Sequence, residues 1–398
     1  MRCRPSKTKL QRVFSSRLKW DLRPNSLSLV LEEKRRSGAR ILDLTESNPT
    51  KAGLDYPDHA ILDPLIDPAS LKYEPSPAGL PSAREAVARY YAERHAAVHP
   101  SQILLTASTS EAYSYLFKLL TDPGDEIVVP QPSYPLYDFL AGMELVNIRH
   151  YPLRYDGVWH IDFSALEGVI TPKTKAMVVV NPNNPTGSFL KRGEADQLQH
   201  VAARRGLAIL SDEVFSDYGF GDDPGRIRTL AGESPVLTFC MSGLSKVAAL
   251  PQMKLAWIAA SGPGHQAAQE RLEWIADTYL SVATPVQVAL PWILDASCSV
   301  REQVRNRTAA NLKLLREQTA ALPASILNFA GGWYAILRAP ATRSEEQWVT
   351  SLLRDQDVLV QPGYFYDFES EAFLVLSLLA EPQTFREGVR RIVEAVSS

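Results

Sequence analysis

The sequence predicts an α/β fold in which helices cover both faces of a mainly parallel sheet. Short apolar runs such as AMVVV (176–180) and LAIL (207–210) have the length of a strand but lack the polar alternation of a half-exposed one. Such strands are typical of sheets that are buried on both faces. The runs alternate with helical periodicity at 80–97 and 111–120, which indicates repeated strand–helix–strand units.

The C-terminal part of the chain has a different pattern. Helices are predicted at 299–321 and 385–396, and strands at 331–339 and 373–380. We therefore expect a smaller α+β domain there, completed by an N-terminal helix at 27–38. The predicted division is a basic, disordered tail at 1–20, a segment packing with the small domain at 21–45, a large domain at 46–290 and the small domain at 291–398.

Composition and charge exclude several classes of protein. The net charge of −3 gives no electrostatic case for nucleic-acid binding. No apolar run is long enough to span a bilayer, and no signal peptide opens the chain. The basic first twenty residues share the composition of an organelle transit peptide, but a frayed tail is the preferred interpretation. We expect a cytoplasmic protein that binds neither membrane nor nucleic acid.

Metal chemistry is also not expected. The three cysteines, Cys3, Cys240 and Cys298, are far apart and have no metal-like spacing. The seven histidines form no HExxH-type cluster. Neither a disulfide framework nor a catalytic metal is therefore predicted.

Polar residues follow several of the predicted strands, at the sheet edge where α/β proteins bind ligands. Ser108, Thr109 and Ser110 open a helix, where hydroxyls and free N–H groups can form an anion cup. The loop NPNNPTG (181–187) holds Asn184 rigidly. The steps from Asn184 to Asp212 (28 residues) and from Asp212 to Lys246 (34 residues) each match one strand–helix–strand unit. These side chains are expected to converge at one edge.

Lys246 lies in the otherwise apolar stretch SGLSKVAALPQMK (242–254). A lysine removed from water is paired, reaches the surface with its amine, or works as a neutral amine. A carboxylate such as Asp212, held nearby among apolar neighbours, could instead cap a helix or hold a proton on a ring nitrogen. Lys246 is therefore expected to have a chemical role if Asp212 and the other polar strand-end residues lie around it.

The ordered set of anion cup, NPTG loop, aspartate and lysine resembles the class I/II aminotransferases, pyridoxal phosphate (PLP) enzymes of fold type I. The resemblance runs from Leu42 to near the C-terminus. It implies a large domain with a mainly parallel seven-stranded sheet and a smaller α+β domain. It also implies PLP as cofactor and a homodimer with shared sites.

The resemblance assigns roles to individual residues. Lys246 would form the Schiff base with PLP, and Asp212 would pair with the pyridine nitrogen. Asn184 would bind the phenolic oxygen, and Tyr134 would stack on the ring. The remaining expected contacts are with the phosphate, from Ser108, Thr109, Ser110, Ser245, Lys254 and, across the dimer, Tyr73.

Three positions depart from the family pattern. Phe215 stands where many members have a tyrosine that donates to the phenolic oxygen. Lys254 stands where the usual phosphate ligand is arginine, so a point charge replaces a bidentate fork. Val375, in VLSLL, stands where the family has the arginine that binds the substrate α-carboxylate. Either another cation replaces it, with Arg338 as a candidate, or the amino donor is not an ordinary α-amino acid.

The predicted function is that of a transaminase, which moves an amino group from an amino acid or amine donor to a keto acid acceptor. A PLP-dependent lyase or decarboxylase on the same fold is the main alternative, because one carbanion intermediate serves both reactions. A non-catalytic PLP-binding protein is a further alternative. It is disfavoured because both Lys246 and Asp212 are present and no DNA-recognition helix precedes the core.

Overall fold

The computed structural model describes Ser15, Arg17 and residues 23–370 and 372–397. The predicted basic tail, residues 1–20, lies outside the described residues apart from Ser15 and Arg17. Among the helices of the described residues, none is both long and apolar enough to cross a bilayer.

The strands, in chain order, are β1 (Leu42–Asp43), β2 (Ile103–Thr106), β3 (Glu126–Gln131), β4 (Asn147–Tyr155), β5 (Trp159–Ile161), β6 (Thr174–Val180), β7 (Ala208–Asp212), β8 (Thr238–Gly243), β9 (Ala256–Ser261), β10 (Ser325–Ile326), β11 (Tyr334–Arg338), β12 (Val358–Leu359), β13 (Gln361–Pro362) and β14 (Phe373–Ser377). The α-helices are α1 (Ser26–Arg36), α2 (Asp58–Leu62), α3 (Pro81–Ala92), α4 (Thr109–Leu120), α5 (Tyr137–Glu144), α6 (Phe163–Val169), α7 (Arg192–Arg205), α8 (Leu244–Val247), α9 (His265–Asp277), α10 (Thr284–Thr319), α11 (Glu345–Gln356) and α12 (Pro382–Ser397).

The central sheet has eight strands in the order β2-β9-β8-β7-β6-β3-β4-β5. The pairs β8–β7, β7–β6, β6–β3 and β3–β4 are parallel, so the predicted mainly parallel sheet is confirmed. The eighth strand, β5, goes beyond the seven expected. It forms because β4 extends past its pairing with β3, and β5 folds back antiparallel onto Leu153–Tyr155.

Both faces of the sheet are covered by helices, as the unbroken apolar strands predict. Along β6, Met177 and Val179 pack into one apolar cluster, while Ala176 and Val178 pack into another on the opposite face. Residues of α3, α7 and α10 belong to the first cluster, and residues of α4, α5 and α9 to the second. Because successive strand side chains point to opposite faces, both sides need apolar residues.

The C-terminal part forms a separate four-stranded antiparallel sheet in the order β10-β11-β14-β13. Helices α11 and α12 share a third apolar cluster with this sheet. The N-terminal segment joins the same part of the molecule, because β1 pairs parallel with β12 and α1 contacts α11.

The long helix α10 differs from its prediction. A helix was expected at 299–321, but α10 has 36 residues and contains Pro291 in its interior. Proline cannot donate the helical hydrogen bond, and so it usually indicates a helix end in a sequence. Here Leu290 and Ile293, on either side of it, are fully buried against the large-domain cluster. The expected domain boundary at 290/291 therefore falls inside this helix.

The turn from β8 into α8 requires a residue without a side chain. A Cβ added at Gly243 would lie 2.7 Å from Ala256 Cβ and 2.9 Å from Ala256 Cα, on the neighbouring strand β9. We predict that Gly243→Ala lowers the free energy of unfolding by about 1–3 kcal/mol, because β8 and β9 must separate. Urea unfolding of the purified chain measures this loss.

Gly193 provides the control, since it lies in α7 and has no atom within 4 Å of an added Cβ. Gly193→Ala should leave stability unchanged or raise it by up to about 1 kcal/mol. Equal stability of Gly243→Ala and the wild type would contradict the close approach of the two strands.

Candidate active site

Three adjacent parallel strands end at the same edge and carry the predicted residues. Val180 pairs with Asp212, and Asp212 pairs with Met241, across β6, β7 and β8. Asn184 follows β6 by four residues, Asp212 ends β7, and Lys246 follows β8 by three. The structure thus brings the three strand ends together, as the 28- and 34-residue spacings predict.

Lys246 lies in α8, with its amine among aromatic rings. Its Nζ is 4.6 Å from the centroid of the Trp333 ring and 5.4 Å from that of Phe215. Burial lowers the pKa of Lys246 from 10.5 to about 8, although the charge of Asp212 partly opposes this shift. The backbone is also held, because Tyr218 OH donates to Lys246 O at 2.5 Å. The charged and neutral forms of this amine are therefore equally populated near pH 8.

Asp212 is the acidic counterpart at the end of β7. Burial raises its pKa from 3.8 to about 6, against the opposing effects of Val214 N–H, the Tyr113 hydroxyl and Lys246. Val214 N donates to Oδ1 at 3.2 Å, and Tyr113 OH donates to Oδ2 at 3.1 Å. Asp212 is ionised at neutral pH, but its charge is only partly compensated by protein groups.

The neighbouring acid, Glu213, has a different environment. Its carboxylate accepts from Ser211 Oγ at 2.8 Å, Thr229 Oγ1 at 2.6 Å and Leu230 N at 2.8 Å. These bonds tie the chain after β7 to the 229–230 segment, so Glu213 has a structural role.

Asn184 lies in a loop that other residues fix in place. Asn183 Nδ2 donates to Pro132 O at 3.0 Å and to Thr186 Oγ1 at 2.9 Å. Gly187 (φ +62°) approaches Gly331 so closely that an added Cβ would lie 2.3 Å from Gly331 O. In this rigid loop, Asn184 Oδ1 is buried without a hydrogen-bond partner. A buried polar atom of this kind indicates a ligand position.

The expected phosphate cup lies two strands away at the same edge. Ser108 caps α4, its Oγ accepting from Glu111 N at 3.2 Å, and Thr109 and Ser110 form the first turn. Thr106 pairs with Ala256, which in turn pairs with Gly243. The α4 N-terminus is therefore about 10 Å from the turn that carries Ser245 and Lys246, at two strand spacings.

Two other predicted phosphate ligands, Lys254 and Tyr73, are exposed in the single chain. Lys254 ends the 251–253 turn with φ +50° and is solvent-exposed. Tyr73 is 75% exposed and lines a surface hollow with Glu74 and Leu280. Within the single chain, Tyr73 therefore belongs to this hollow and not to the strand-end cluster.

Tyr134 follows β3 at the same edge and is 47% exposed. Its pKa is raised by burial and by the charge of Asp212, which means that its hydroxyl lies near that carboxylate. The ring is thus partly open to solvent, above the strand ends, where a planar ligand could contact it.

Val375 lies in the four-stranded C-terminal sheet. It is fully buried in β14 and pairs with Ile336 and Gln361. Its apolar cluster includes Phe215 and Trp333, the two rings beside Lys246. The position where the family has an arginine is therefore part of an apolar wall.

Arg338 is the candidate substitute for the missing arginine. It is exposed at the far end of β11, five residues beyond Trp333, or about 16 Å away at the rise of a strand. Ile336, the partner of Val375, lies two residues before Arg338 on β11, and the role of Arg338 as a substitute stays a prediction.

Sequence reasoning missed three aromatic residues at the site: Tyr113, Tyr218 and Trp333. Tyr113 reaches Asp212 from the first turns of α4, and Tyr218 reaches the backbone of Lys246. Trp333 follows the pair Gly331-Gly332. This glycine pair predicts a flexible turn before a strand, and it was the one sequence signal near Trp333. In a sequence, an aromatic residue that packs in the core looks the same as one that contacts the site. Only the three-dimensional structure shows that these three residues contact the site.

The residues present fit PLP, the cofactor that the resemblance implies. The fit rests on the lowered pKa of the Lys246 amine, the carboxylate of Asp212, which protein groups compensate only in part, and the unpartnered Asn184 Oδ1. Ser242 lies on β8, three residues after Phe239. Its Oγ is also buried without a hydrogen-bond partner. Among the described residues there is no group of three or more His, Cys, Asp or Glu side chains that could hold a metal ion.

We predict that Asp212→Asn stabilises the ligand-free chain at pH 7 by about 2 kcal/mol. The folded-state pKa of Asp212 is raised, so its contribution to stability is present below the unfolded pKa and is lost as the pH rises past about 6. The gain stays below the ~3 kcal/mol of the full pKa difference because Asp212 keeps some contact with water. Urea unfolding from pH 4 to pH 8 measures it.

The exposed Asp196 supplies the control, since Asp196→Asn should change stability by less than about 0.5 kcal/mol at any of these pH values. A gain for Asp212→Asn that is as large at pH 4 as at pH 8 would contradict the assigned pKa shift.

Comparison with known proteins identifies the family. The family described as aminotransferase class I and II matches residues 40–392. Glutamate-pyruvate aminotransferase AlaA of Haemophilus influenzae is 26% identical, over 100% of this chain and 99% of that protein. Two solved structures share the fold: an Escherichia coli aminotransferase (TM-score 0.85, 25% identity, covering 97% and 98% of the two chains) and alanine aminotransferase from Pyrococcus furiosus (TM-score 0.84, 24% identity, 96% and 99%).

The strand-end site and these matches lead to the same assignment. The chain belongs to the class I and II aminotransferases and is a PLP-dependent aminotransferase of fold type I.

Proposed function

We propose that this aminotransferase uses Lys246 as its catalytic amine. We also propose that its amino donor is apolar or aromatic and is bound without an arginine from β14. The observation that carries the first part is the buried Lys246 amine, with a pKa lowered to about 8. The second part rests on Val375 and the apolar wall around it.

The roles proposed for the cofactor-holding residues are those that the family resemblance implies. Lys246 would bind the aldehyde carbon, and Asp212 would accept a hydrogen bond from the pyridine nitrogen and keep it protonated. Asn184 would bind the phenolic oxygen, and Tyr134 would contact the ring face. The phosphate ligands proposed are Ser108, Thr109, Ser110, Ser245, Lys254 and, from a second subunit, Tyr73.

When bound, PLP supplies an aldehyde that condenses with amines and a protonated ring that draws electrons from the donor Cα. The other chemistry belongs to this chain. With a donor bound, Lys246 Nζ would hold and move the proton that leaves the donor Cα, as general base and then as general acid. Its lowered pKa suits both directions near neutral pH. Phe215 and Trp333 keep water away from the amine.

Phe215 also has a consequence for the cofactor. A tyrosine at this position would donate to the phenolic oxygen and favour its ionised form. Phe215 contacts Trp333 and Tyr334 edge-to-face and has no hydroxyl to offer. Asn184 is therefore proposed as the main side-chain partner of the phenolic oxygen from this part of the chain.

The donor proposal follows from electrostatics. An unpaired carboxylate placed against the wall formed by Val375, Phe215 and Trp333 would lose its hydration without gaining a cation. A donor with an apolar or aromatic group at this position avoids that loss and gains contact area. The aromatic rings of Tyr334 and Tyr366 extend the same surface.

We predict that Lys246→Ala abolishes the visible absorbance band of the PLP-loaded protein and lowers the rate of amino transfer at least about 100-fold. The exposed Lys313 gives a matched control, and Lys313→Ala should behave as the wild type. Absorbance spectra before and after addition of a donor measure both effects. An unchanged band in Lys246→Ala would refute the proposed role.

The same spectra separate a transaminase from a lyase or decarboxylase. In amino transfer, a donor bleaches the band, and colour returns only when a keto acid is added. A lyase would restore the band without any keto acid. Return of the band in the absence of a keto acid would therefore contradict the proposed reaction.

We predict that 2-phenylethylamine has a kcat/KM at least equal to that of phenylalanine, since the two differ by the carboxylate alone. Val375→Arg should shift this ratio towards phenylalanine about tenfold or more, by adding a charged hydrogen-bond donor. Val375→Met adds comparable length without charge and should leave the ratio unchanged. A wild-type preference for phenylalanine above about tenfold would contradict the donor proposal.

We further propose a homodimer located in the cytoplasm. The exposed ring of Tyr73, at a position where the family reaches across to the neighbouring phosphate, supports the dimer. We also propose the division into a large domain at 46–290 and a small domain at 291–398, joined through α10, with 21–45 packing on the small domain. The pairing of β1 with β12 supports this arrangement.

A further inference from the structure

A second cavity, of about 460 Å³, lies between the end of α3, the segment 216–228 and the middle of α10. We call it the arginine cavity, because its lining includes Arg94, Arg226, Arg228, Arg301 and Arg305. Its volume falls within the range of small-molecule sites. The acidic residues of its lining are Glu93, Asp217 and Asp222.

One of the five arginines is neutralised within the protein. Arg94 forms a close ion pair with Asp217, and its Nη1 donates to Tyr90 O at 2.7 Å. Glu93 lies 3.8 Å from Arg94 as well. The two nearest carboxylates are thus committed to the same guanidinium.

The other four arginines have no such partner. Over residues 23–370 and 372–397, no carboxylate oxygen lies within 4 Å of a side-chain nitrogen of Arg226, Arg228, Arg301 or Arg305. The lining therefore carries more positive than negative charge, concentrated on groups suited to bidentate binding of phosphate or carboxylate.

Arg301 is the most deeply placed of them and is 6% exposed. Its guanidinium donates to neutral acceptors: Val247 O at 3.2 Å, Ser297 Oγ, and Cys298 Sγ at 3.0 Å. A buried cation satisfied only by neutral groups is costly to maintain, and an anion would relieve that cost.

Arg226 is held in position but not fully bonded. Its Nη2 donates to Phe220 O at 2.8 Å, its Nη1 donates to Gly221 O at 3.3 Å, and its guanidinium lies 4.5 Å from the Phe189 ring centroid. Its Nε is buried without a partner. Burial lowers the pKa of Arg226, the charges of Asp223 and Asp222 oppose this shift, and nearby Arg228 adds to it. The unpartnered Nε of Arg226 is therefore the group that a bound anion would satisfy.

From these observations we propose that the arginine cavity binds a small organic anion with two or more negative charges, carried by phosphate or carboxylate groups. The site is separate from the phosphate cup at Ser108–Ser110, because it lies against α3 and α10 and not at the N-terminus of α4.

The cavity contacts the segment that carries the catalytic lysine. Arg301 donates to Val247 O, and Tyr218, adjacent to Asp217 of the lining, donates to Lys246 O. An anion that draws Arg301 towards itself acts directly on the backbone of α8. Occupancy of the cavity therefore alters the rate of amino transfer, and the site is regulatory.

Isothermal titration calorimetry on the PLP-loaded protein tests the binding, because the cofactor phosphate then occupies the catalytic anion site. Pyrophosphate and citrate serve as separate probes, at ionic strength matched with potassium chloride, and distinguish phosphate from carboxylate recognition. We expect saturable binding of at least one probe, with one site per chain. Absence of saturable binding by both would overturn the proposal.

The double variant Arg226→Gln/Arg228→Gln should weaken binding at least about tenfold. Arg316→Gln, an exposed arginine on the same helix α10, should bind as the wild type. Equal binding by the double variant and the wild type would place the anion elsewhere and overturn the proposal.

The rate at which a donor bleaches the visible band tests the regulation. We expect the saturating probe to change this rate at least about twofold in the wild type and to leave it unchanged in the double variant. Binding without any change in rate would overturn the regulatory role.

Discussion

The placement of one lysine amine and one carboxylate in a poorly solvated cleft is the constraint on which this structure depends. Burial lowers the pKa of Lys246 to about 8 and raises that of Asp212 to about 6. Their mutual attraction opposes both shifts but does not remove them. The chain therefore holds a partly neutral amine beside an acid that lacks its full set of partners. Both groups are prepared for a ligand that supplies an aldehyde and a basic ring nitrogen.

Such a site destabilises the folded chain, and the architecture around it compensates. The central sheet is packed on both faces, so the strands that end at Asp212 and Gly243 are fixed along their whole length. Gly243 permits β8 and β9 to approach closely just before α8 begins. Tyr218 and Arg301 then bond the carbonyls of Lys246 and Val247. Residues at the site are thus positioned by elements whose stability does not depend on them.

Most of the fold could be predicted because the strands are uniformly apolar and the helices periodic. The spacing from Asn184 through Asp212 to Lys246 predicted which strand ends meet, since each interval matches one strand–helix–strand unit. The extent of α10 could not be predicted, because Pro291 carries a local signal for a helix end that burial of the surrounding helix overrides. Likewise β5 forms only because β4 extends beyond its neighbour, which depends on pairing and not on local sequence.

The arrangement of aromatic and cationic residues was harder to predict from the sequence. Trp333 contacts Lys246 from a segment 87 positions further along the chain, and a buried tryptophan has the same sequence signature in any core. The arginine cavity gathers residues from three segments spanning more than two hundred positions, none of which forms a charge run.

The most direct measurement is the pKa of Lys246 itself in the PLP-free chain. The rate at which its Nζ reacts with a small acylating reagent, read by peptide mass spectrometry from pH 6 to pH 11, gives that value. The account predicts a midpoint near pH 8 for Lys246. A midpoint for Lys246 at or above the ordinary lysine value of 10.5 would contradict the claim that burial prepares this amine for catalysis.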